Sequence, residues 1–320
     1  MSSIQFGRDA DPEARKRTLL AIGSFLLPLL VWCVVSYAPF VWHPKVLVTD
    51  PGGVDYFQVD MLVDKAMFKD EVANMEAAHL ALPKGTPANP IYLPAPDDVA
   101  KAFYNGFVHP PKSTDVPSMP ASLWHSIQII FWGFLISSLI GVPLGILSGT
   151  YNLVGRLNEP FIEFFRYLPA PAFGALAVAI LGIYDGPKIA IIVIGTLFQQ
   201  VLIIANTTRK LEATLIEAAR TLGTRNLRLL TKVVVPGILP DLYRDQRILL
   251  GWAWTYLIVA ELIGTSSGIT WFITQQARYQ HFDNVYAAIM TIGIIGFGTD
   301  LILARLGRRL FPWDRTQDRQ

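Results

Sequence analysis

Residues 211–236 of this 320-residue chain read LEATLIEAARTLGTRNLRLLTKVVVP, a polar and basic stretch that lies between long apolar runs. Apolar residues recur in it at helical spacing and predict an amphipathic helix with the stripe Leu211, Leu215, Ile216, Ala219 and Leu222. Gly223 suits the left-handed backbone position that ends many helices, and Thr224 is placed to cap a second helix. Pro236 is expected to stop that second helix. The stretch therefore predicts two short helices joined by a tight bend.

The apolar runs around this stretch predict an integral membrane protein. The chain is 52% hydrophobic and 16% charged, which makes it more apolar than a soluble domain needs to be. Asp, Glu, Lys and Arg are absent from residues 18–42, 116–155, 167–184 and 189–208. A helix of about 20 apolar residues crosses the roughly 30 Å hydrocarbon core of a bilayer. We therefore expect an all-α membrane protein with about six transmembrane helices.

The apolar pattern places these six spans at residues 18–40, 121–148, 159–181, 188–206, 248–264 and 284–304. Pro169 and Pro171 should interrupt the third span near its middle. Residues 152–158 are expected to form a turn before that span. Glycines recur every four residues in the second span, at Gly141, Gly145 and Gly149. This small-residue ridge predicts a close approach by another helix.

The distribution of basic residues predicts which parts of the chain face the cytoplasm. The segment 209–232 carries six basic residues against two acidic ones, residues 15–17 are basic, and Arg305, Arg308 and Arg309 follow the last span. By the positive-inside rule, both chain ends and the central stretch face the cytoplasm. The first span is expected to be a membrane helix and not a cleaved signal peptide, because it is long, contains Trp32 and is not followed by a cleavage site.

Residues 43–120 are expected to lie outside the membrane on the periplasmic side. They contain ten acidic residues, six Lys, no Arg and eleven of the chain's 22 prolines. This composition predicts an extended, irregular loop with one amphipathic helix within residues 56–80 and an Asp-capped helix after Pro96. The chain then divides into a cytoplasmic arm with the first span (1–42), this loop (43–120) and a membrane core (121–320).

The central stretch resembles the EAA loop of bacterial ABC-importer permeases. Glu217-Ala218-Ala219 is followed after three residues by Gly223, and Val233-Val234-Val235-Pro236 stands where that family has an Ile-x-Leu-Pro-like end. YLPAPDDV at 92–99 and RRLFPW at 308–313 resemble the permeases of the nitrate, sulfonate, taurine and bicarbonate group. The first of these segments lies close to the first span in that group, so residues 44–90 look inserted here.

The resemblance implies a permease subunit in the bacterial inner membrane, with a five-helix core and a small anion such as nitrate, sulfonate, taurine or bicarbonate as its solute. In that family the loop is a coupling helix, here within residues 211–223, that docks into a separate ATPase subunit. The implied coupling residues are Glu217, Ala218, Ala219, Gly223 and Pro236. The implied partners are a second permease copy, ABC ATPase subunits, a periplasmic solute-binding protein and membrane lipid, with no nucleic acid. An ordinary surface helix is the alternative for the Glu-Ala-Ala triplet.

The sequence offers no nucleotide or metal site. It contains no GxxxxGK[ST] loop, so ATP and Mg²⁺ would bind the partner ATPase, and no cofactor or catalytic residue is expected on this chain. The single Cys33 and the five histidines show no ligand spacing.

Polar residues inside the predicted spans are candidates for the translocation path, because polar groups are costly in hydrocarbon. They are Arg166, Thr196, Gln199, Gln200, Thr255 and Glu261. Helix-to-helix hydrogen bonding and snorkelling are the structural alternatives. An ATP-independent channel, or a proton-coupled carrier that uses Glu261, is the alternative function. A docking or assembly role for residues 44–90 is a further hypothesis.

Overall fold

The computed structural model describes residues 14–38, 43–109, 117–263 and 267–314. Its elements in chain order are α1 (Ala14–Tyr37), β1 (Lys45–Asp50), β2 (Leu62–Asp64), α2 (Lys65–Ala77), β3 (Lys84–Ala88), α3 (Pro96–Val108), α4 (Met119–Thr150), α5 (Asn152–Arg166), a 3-10 turn (Ala170–Phe173), α6 (Gly174–Leu181), α7 (Asp185–Arg209), α8 (Ala213–Thr221), α9 (Asn226–Leu229), a π-helix (Leu230–Val234), α10 (Val235–Ile263), α11 (Ile269–Arg278) and α12 (Phe282–Leu310). They form two compact units. The first comprises the described residues up to Asn105 with Gln276–Ala287, and the second comprises the remainder.

In the first unit, residues 45–88 form a small α/β module, so the prediction of an irregular loop was wrong. β1 pairs antiparallel with both neighbours, in the order β2-β1-β3. Val48 and Phe57 are buried, and the Phe57 ring stacks on Phe68 of α2 with centroids 5.9 Å apart. The helix expected within residues 56–80 is present as α2. The strands escaped prediction because they are short and β3 contains Gly85 and Pro87, which are rare in strands.

α1 also belongs to the first unit and is apolar on its outside. Every residue from 19 to 31 is exposed, and none of them is charged. Its last two turns pack against the same unit: Trp32 Nε1 donates to the Pro94 carbonyl oxygen at 3.2 Å, and the Trp32 ring stacks on Tyr286. A long apolar helix with exposed side chains is what contact with lipid requires.

In the second unit, glycines on α4 bring this helix against α7, as the small-residue ridge predicts. A Cβ added to each glycine would overlap α7: Gly141 with Gln200 Oε1 at 2.8 Å, Gly145 with Ile204 Cβ at 2.8 Å, and Gly149 with Thr208 Cβ at 2.5 Å. The residue numbers rise together along both helices, so α4 and α7 run parallel. Two parallel membrane helices require the chain to cross back between them.

The returning segment consists of α5 and α6, which meet at an 87° bend. The break lies at Pro169 and Pro171, as predicted, because proline disfavours helix at the preceding residue and lacks an N–H donor. The turn expected at 152–158 is wrong, since α5 begins at Asn152. Gly155 explains this early start: a Cβ there would lie 2.8 Å from the Ser148 carbonyl oxygen, so α5 packs directly on the end of α4.

α10 runs antiparallel to both of its long neighbours. Along the contact with α7, residue numbers fall on α10 as they rise on α7, as the pairs Tyr256–Gly195 and Gln246–Gln200 show. The same holds along the contact with α12, in the pairs Tyr243–Leu303 and Arg247–Asp300. α7 and α12 therefore run parallel, and α10 supplies the return between them.

The described residues contain four helices that qualify as spans by length and composition, α1, α4, α7 and α12, and the bent α5–α6 pair gives a fifth. α10 carries Asp241, Arg244, Asp245 and Arg247 in its first half. Its 29 residues nevertheless extend about 43 Å, longer than the hydrocarbon core is thick. Its antiparallel place makes it the sixth crossing, so the helical membrane fold with a five-helix core is confirmed, and the described strands are confined to the module of residues 45–88.

We expect Gly145→Ala to destabilise the α4–α7 pair. The new methyl would lie 2.8 Å from Ile204 Cβ and 2.9 Å from the Val201 carbonyl oxygen, and overpacking of this kind costs about 1–3 kcal/mol. The control is Gly293→Ala in α12, where a Cβ has nothing within 4 Å. Thermal unfolding of the purified proteins in detergent should give a lower Tm for the first variant only. Equal Tm values would contradict the packing account.

Candidate functional site

Residues 211–229 form a sharply bent segment, which we call the elbow. α8 ends two residues before Gly223, which has φ +84°. The Thr224 N–H donates to the Ala219 carbonyl at 3.0 Å, and the Gly223 N–H donates to the Arg220 carbonyl at 2.9 Å. These two bonds form a Schellman C-cap, for which glycine in the left-handed region is the preferred residue. The predicted helix and bend are confirmed.

Two expectations for the second half of the stretch are wrong. Arg225, not Thr224, precedes α9, and no side chain caps that helix. Pro236 does not stop a helix but lies in the first turn of α10, where a missing N–H costs nothing. The π-helix joins α9 to α10, with the Val235 N–H donating to the Leu230 carbonyl. Helical backbone therefore runs without a loop from α9 into α10.

The apolar stripe of α8 is divided between two surroundings. Leu211 packs on α10, where a Cβ on Gly237 would lie 2.9 Å from Leu211 Cδ1, and joins the cluster around Ile204 and Ile238. Leu222 is instead 86% exposed. α8 itself has no buried residue. The elbow is therefore anchored at Leu211, just before α8, and α8 itself lies at the surface.

The Glu-Ala-Ala triplet lies on this exposed helix. Glu217 and Ala218 are exposed and Ala219 is half-buried. Across the described ranges, no ion pair involves Glu217. Small side chains beside an unpaired carboxylate leave a low surface that another protein can approach closely.

Two of the predicted path residues are used in packing within the core. Gln200 is fully buried: Ser137 Oγ donates to its Oε1 at 2.8 Å, and its Nε2 donates to Gln246 Oε1 at 2.7 Å. These bonds join α4, α7 and α10. Thr196 is equally buried, and its hydroxyl donates to the Ile192 carbonyl one turn earlier at 2.7 Å.

Arg166 and Gln199 lie together at a small recess whose lining also includes Phe165, Phe198 and Tyr256. The Arg166 side chain is exposed, and its guanidinium lies 4.9 Å from the centre of the Tyr167 ring. Thr255 is exposed on α10, next in sequence to Tyr256. The structure thus brings two of the six path candidates, Arg166 and Gln199, to one surface recess, and Thr255 does not line it.

Glu261 is buried and holds the start of α11. Its Oε2 accepts the Thr270 N–H at 2.8 Å, and its Oε1 accepts the Ser126 hydroxyl. Ser126 Oγ in turn accepts the Ile269 N–H at 2.8 Å. Two unsatisfied N–H groups at the first turn of α11 are therefore bonded by side chains from α10 and α4. A Cβ on Gly268, at φ +100°, would overlap the Glu261 carboxylate, so only glycine fits this approach.

A buried lysine holds the segment just before this turn. Lys188 of α7 has no exposed surface, and its Nζ donates to Ser267 Oγ at 2.6 Å and lies 3.3 Å from Asp185 Oδ1. Asp185 also contacts His125 Nε2 at 3.0 Å. Sequence reasoning missed Ser126 and Lys188, because each lies at or near the end of an apolar run, where polar residues are ordinary.

No group of three or more His, Cys, Asp or Glu side chains in the described ranges could hold a metal ion. The described residues thus present an exposed elbow, a recess beside Arg166 and a packed helical core.

Comparison with known proteins identifies the family. Residues 141–312 match the model described as "Binding-protein-dependent transport system inner membrane component". A probable ABC transporter permease of Brucella melitensis is 31% identical over 228 residues, which cover 71% of this chain and 90% of that protein. The chain belongs to this ABC permease family.

Two further likenesses extend the comparison. The taurine transport system permease protein TauC of Escherichia coli is 31% identical to this permease over 229 residues, covering 70% of this chain and 81% of TauC. A chain of the MetNI methionine ABC transporter in an inward-facing conformation has a TM-score of 0.53 at 20% identity, covering 58% of this chain and 93% of that one. The structural likeness shows the fold. This protein is therefore a membrane permease subunit of an ABC importer.

We expect Glu261→Ala to lower the Tm of the permease, because it leaves the buried Thr270 N–H without an acceptor, at a cost of about 1–3 kcal/mol. Glu261→Gln should largely restore the Tm, since a glutamine carbonyl accepts the Thr270 N–H and its amide donates to Ser126. Glu261→Gln should also retain uptake with an unchanged pH profile. Lost uptake in a Gln variant with normal Tm would contradict this holding role and favour a proton-coupled carrier.

Proposed function

We propose that the elbow couples this permease to separate ATPase subunits, with contacts from Glu217, Ala218, Ala219 and Gly223. One observation carries the proposal: α8 has no buried residue, yet a hydrogen-bonded glycine cap fixes its end. A free surface helix of nine residues is marginal in water, so its fixed shape has to be maintained by the cap and by the Leu211 anchor. A partner can transmit force only through such a fixed element.

The connection from the elbow to α10 supports this role. The π-helix and Pro236 continue the helical backbone into α10. α10 then packs on α7 through Gln246 and on α12 through Arg247. ATP-driven closure of the ATPase subunits would move the elbow, and α10 would convey that shift to the core as alternating access.

We place the translocation path beside the recess of Arg166 and Gln199, with the exposed Thr255 of α10 as a further candidate. An exposed guanidinium favours an anionic solute, and the named function of TauC points to a sulfonate such as taurine, within the nitrate, sulfonate and bicarbonate class. Thr196, Gln200 and Glu261, our other candidates, would support the path by fixing the helices around it.

The proposed assembly contains two copies of this permease, two ATPase subunits that bind ATP and Mg²⁺, and a periplasmic solute-binding protein. The permease would lie in the bacterial inner membrane with both ends and the elbow in the cytoplasm. A single core of five crossings offers only half of a pore, which supports pairing of two copies. Residues 44–90 would then be periplasmic.

Gly223→Ala tests the coupling role. A Cβ at this position has no atom within 4 Å. The change therefore acts only by making the left-handed backbone conformation less favourable, which costs about 1–2 kcal/mol of conformational free energy. We expect weaker ATPase stimulation and uptake with a normally inserted protein. The comparison variant is Gly182→Ala, because Gly182 has φ +82° and equally open surroundings but lies between α6 and α7, and its ψ of −165° makes alanine at least as strained there.

Glu217→Lys should give the same loss without any backbone strain. ATPase stimulation and uptake can be measured in vesicles that contain the permease with its ATPase subunits. Full activity in both elbow variants, or an equal loss in the Gly182 control, would contradict the coupling role. Uptake by the permease alone, with no ATPase subunit co-purifying, would establish the channel or secondary carrier instead.

A further inference from the structure

A polar cavity lies beside the elbow and is not used in the coupling proposal. Its volume is about 440 Å³, and it lies between the end of α4 and residues 220–229. The side chains that matter here are Thr150, Tyr151, Arg220, Thr224, Arg225 and Asn226. The two arginines stand on either side of Gly223 in the sequence, so the bend brings both cations to one cavity.

Arg220 and Arg225 have no carboxylate partner among the described residues, unlike several arginines of α7 and α10. The paired arginines are Arg209 with Glu159, Arg244 with Asp241 and Asp314, and Arg247 with Asp300. Within the part of the chain that the structure describes, no ion pair involves Arg220 or Arg225. A guanidinium presents a planar fork of donors that matches a carboxylate in two parallel hydrogen bonds. A cavity lined by two unpaired forks calls for an anionic occupant.

Apolar surface next to the cavity favours a protein as that occupant. Leu222 is 86% exposed and Leu227 is 68% exposed, and both lie within four residues of Gly223. A free anion would neutralise the arginines but leave these leucines in water. A protein surface covers both kinds of group, with an apolar centre and charged groups around it.

We infer that this cavity receives acidic side chains of the partner ATPase subunit, while Leu222 enters an apolar pocket on the same subunit. The inference rests on the proposed coupling function and adds the chemistry of the partner surface. Each arginine that meets a carboxylate in a partly desolvated cavity contributes to affinity and fixes the angle at which α8 docks.

The positive-inside rule offers a simpler reason for these arginines, and a lysine satisfies that rule equally well. The double variant Arg220→Lys and Arg225→Lys therefore keeps the charge and the membrane orientation while it removes both forks. We expect it to weaken ATPase binding about tenfold. The double variant Arg220→Glu and Arg225→Glu should weaken it by about 30-fold or more.

The control is Arg228 of α9, which is exposed on the same loop and unpaired among the described residues but does not line the cavity. Arg228→Lys and Arg228→Glu should change ATPase affinity by less than about threefold, because a single exposed charge contributes little to binding. Affinity is measured by titrating purified ATPase subunits onto the full-length permease, in neutral detergent without anionic lipid, at low and moderate salt.

The outcomes separate this inference from the proposed function. The acidic contact is supported if both Arg220/Arg225 double variants bind the ATPase more weakly while the Arg228 variants bind it with nearly the affinity of the unchanged permease. Equal affinity in all variants overturns the inference and leaves the coupling function standing. An equal loss of ATPase affinity in the Arg228→Glu variant also overturns the inference, because the attraction would then depend on the total charge of the loop and not on the cavity. No ATPase binding to the unchanged permease would instead defeat the coupling function itself.

Discussion

The close, parallel packing of α4 on α7 is the contact on which the rest of the core depends. Gly141, Gly145 and Gly149 remove the side chains that would separate the two helices. Because the pair is parallel, the chain has to cross back between them, and the bent α5–α6 segment does so. The same reasoning makes α10 the return between α7 and α12, despite the charges in its first half. Apolar length gives up to five crossings among the described residues, and helix direction adds α10 as the sixth.

The permease combines side chains that are fixed inside this packed core with one helix that is exposed at the surface. Gln200 joins three helices, and Glu261, Ser126 and Lys188 hold the first turn of α11 with buried polar contacts. The elbow differs, because no residue of its α8 is buried and Leu222, which follows α8, is 86% exposed. A packed core beside an exposed helix with a hydrogen-bonded bend is consistent with the proposed coupling role of the elbow.

The sequence predicted the features that depend on local chemistry. Long apolar runs gave the spans, paired prolines gave the break before α6, and Gly223 gave the bend. It could not predict features that depend on distant partners. A carboxylate in an apolar run looks the same whether it faces a path or bonds Ser126, which is 135 residues away. Pro236 fits a helix stop as well as a helix start, and only the preceding π-helix decides between them. The short strands around Gly85 and Pro87 carry too little pattern to be recognised.

The central claim is that the elbow faces the cytoplasm and is gripped there by an ATPase subunit. The chain has one cysteine, Cys33, so Leu222→Cys in a Cys33→Ser background gives a single reporter at the elbow. A membrane-impermeant maleimide is applied to vesicles of either orientation, with and without the ATPase subunits. The account predicts labelling in inside-out vesicles only, and protection when the ATPase is bound. Labelling from the outer side, or labelling that the ATPase does not change, would contradict it.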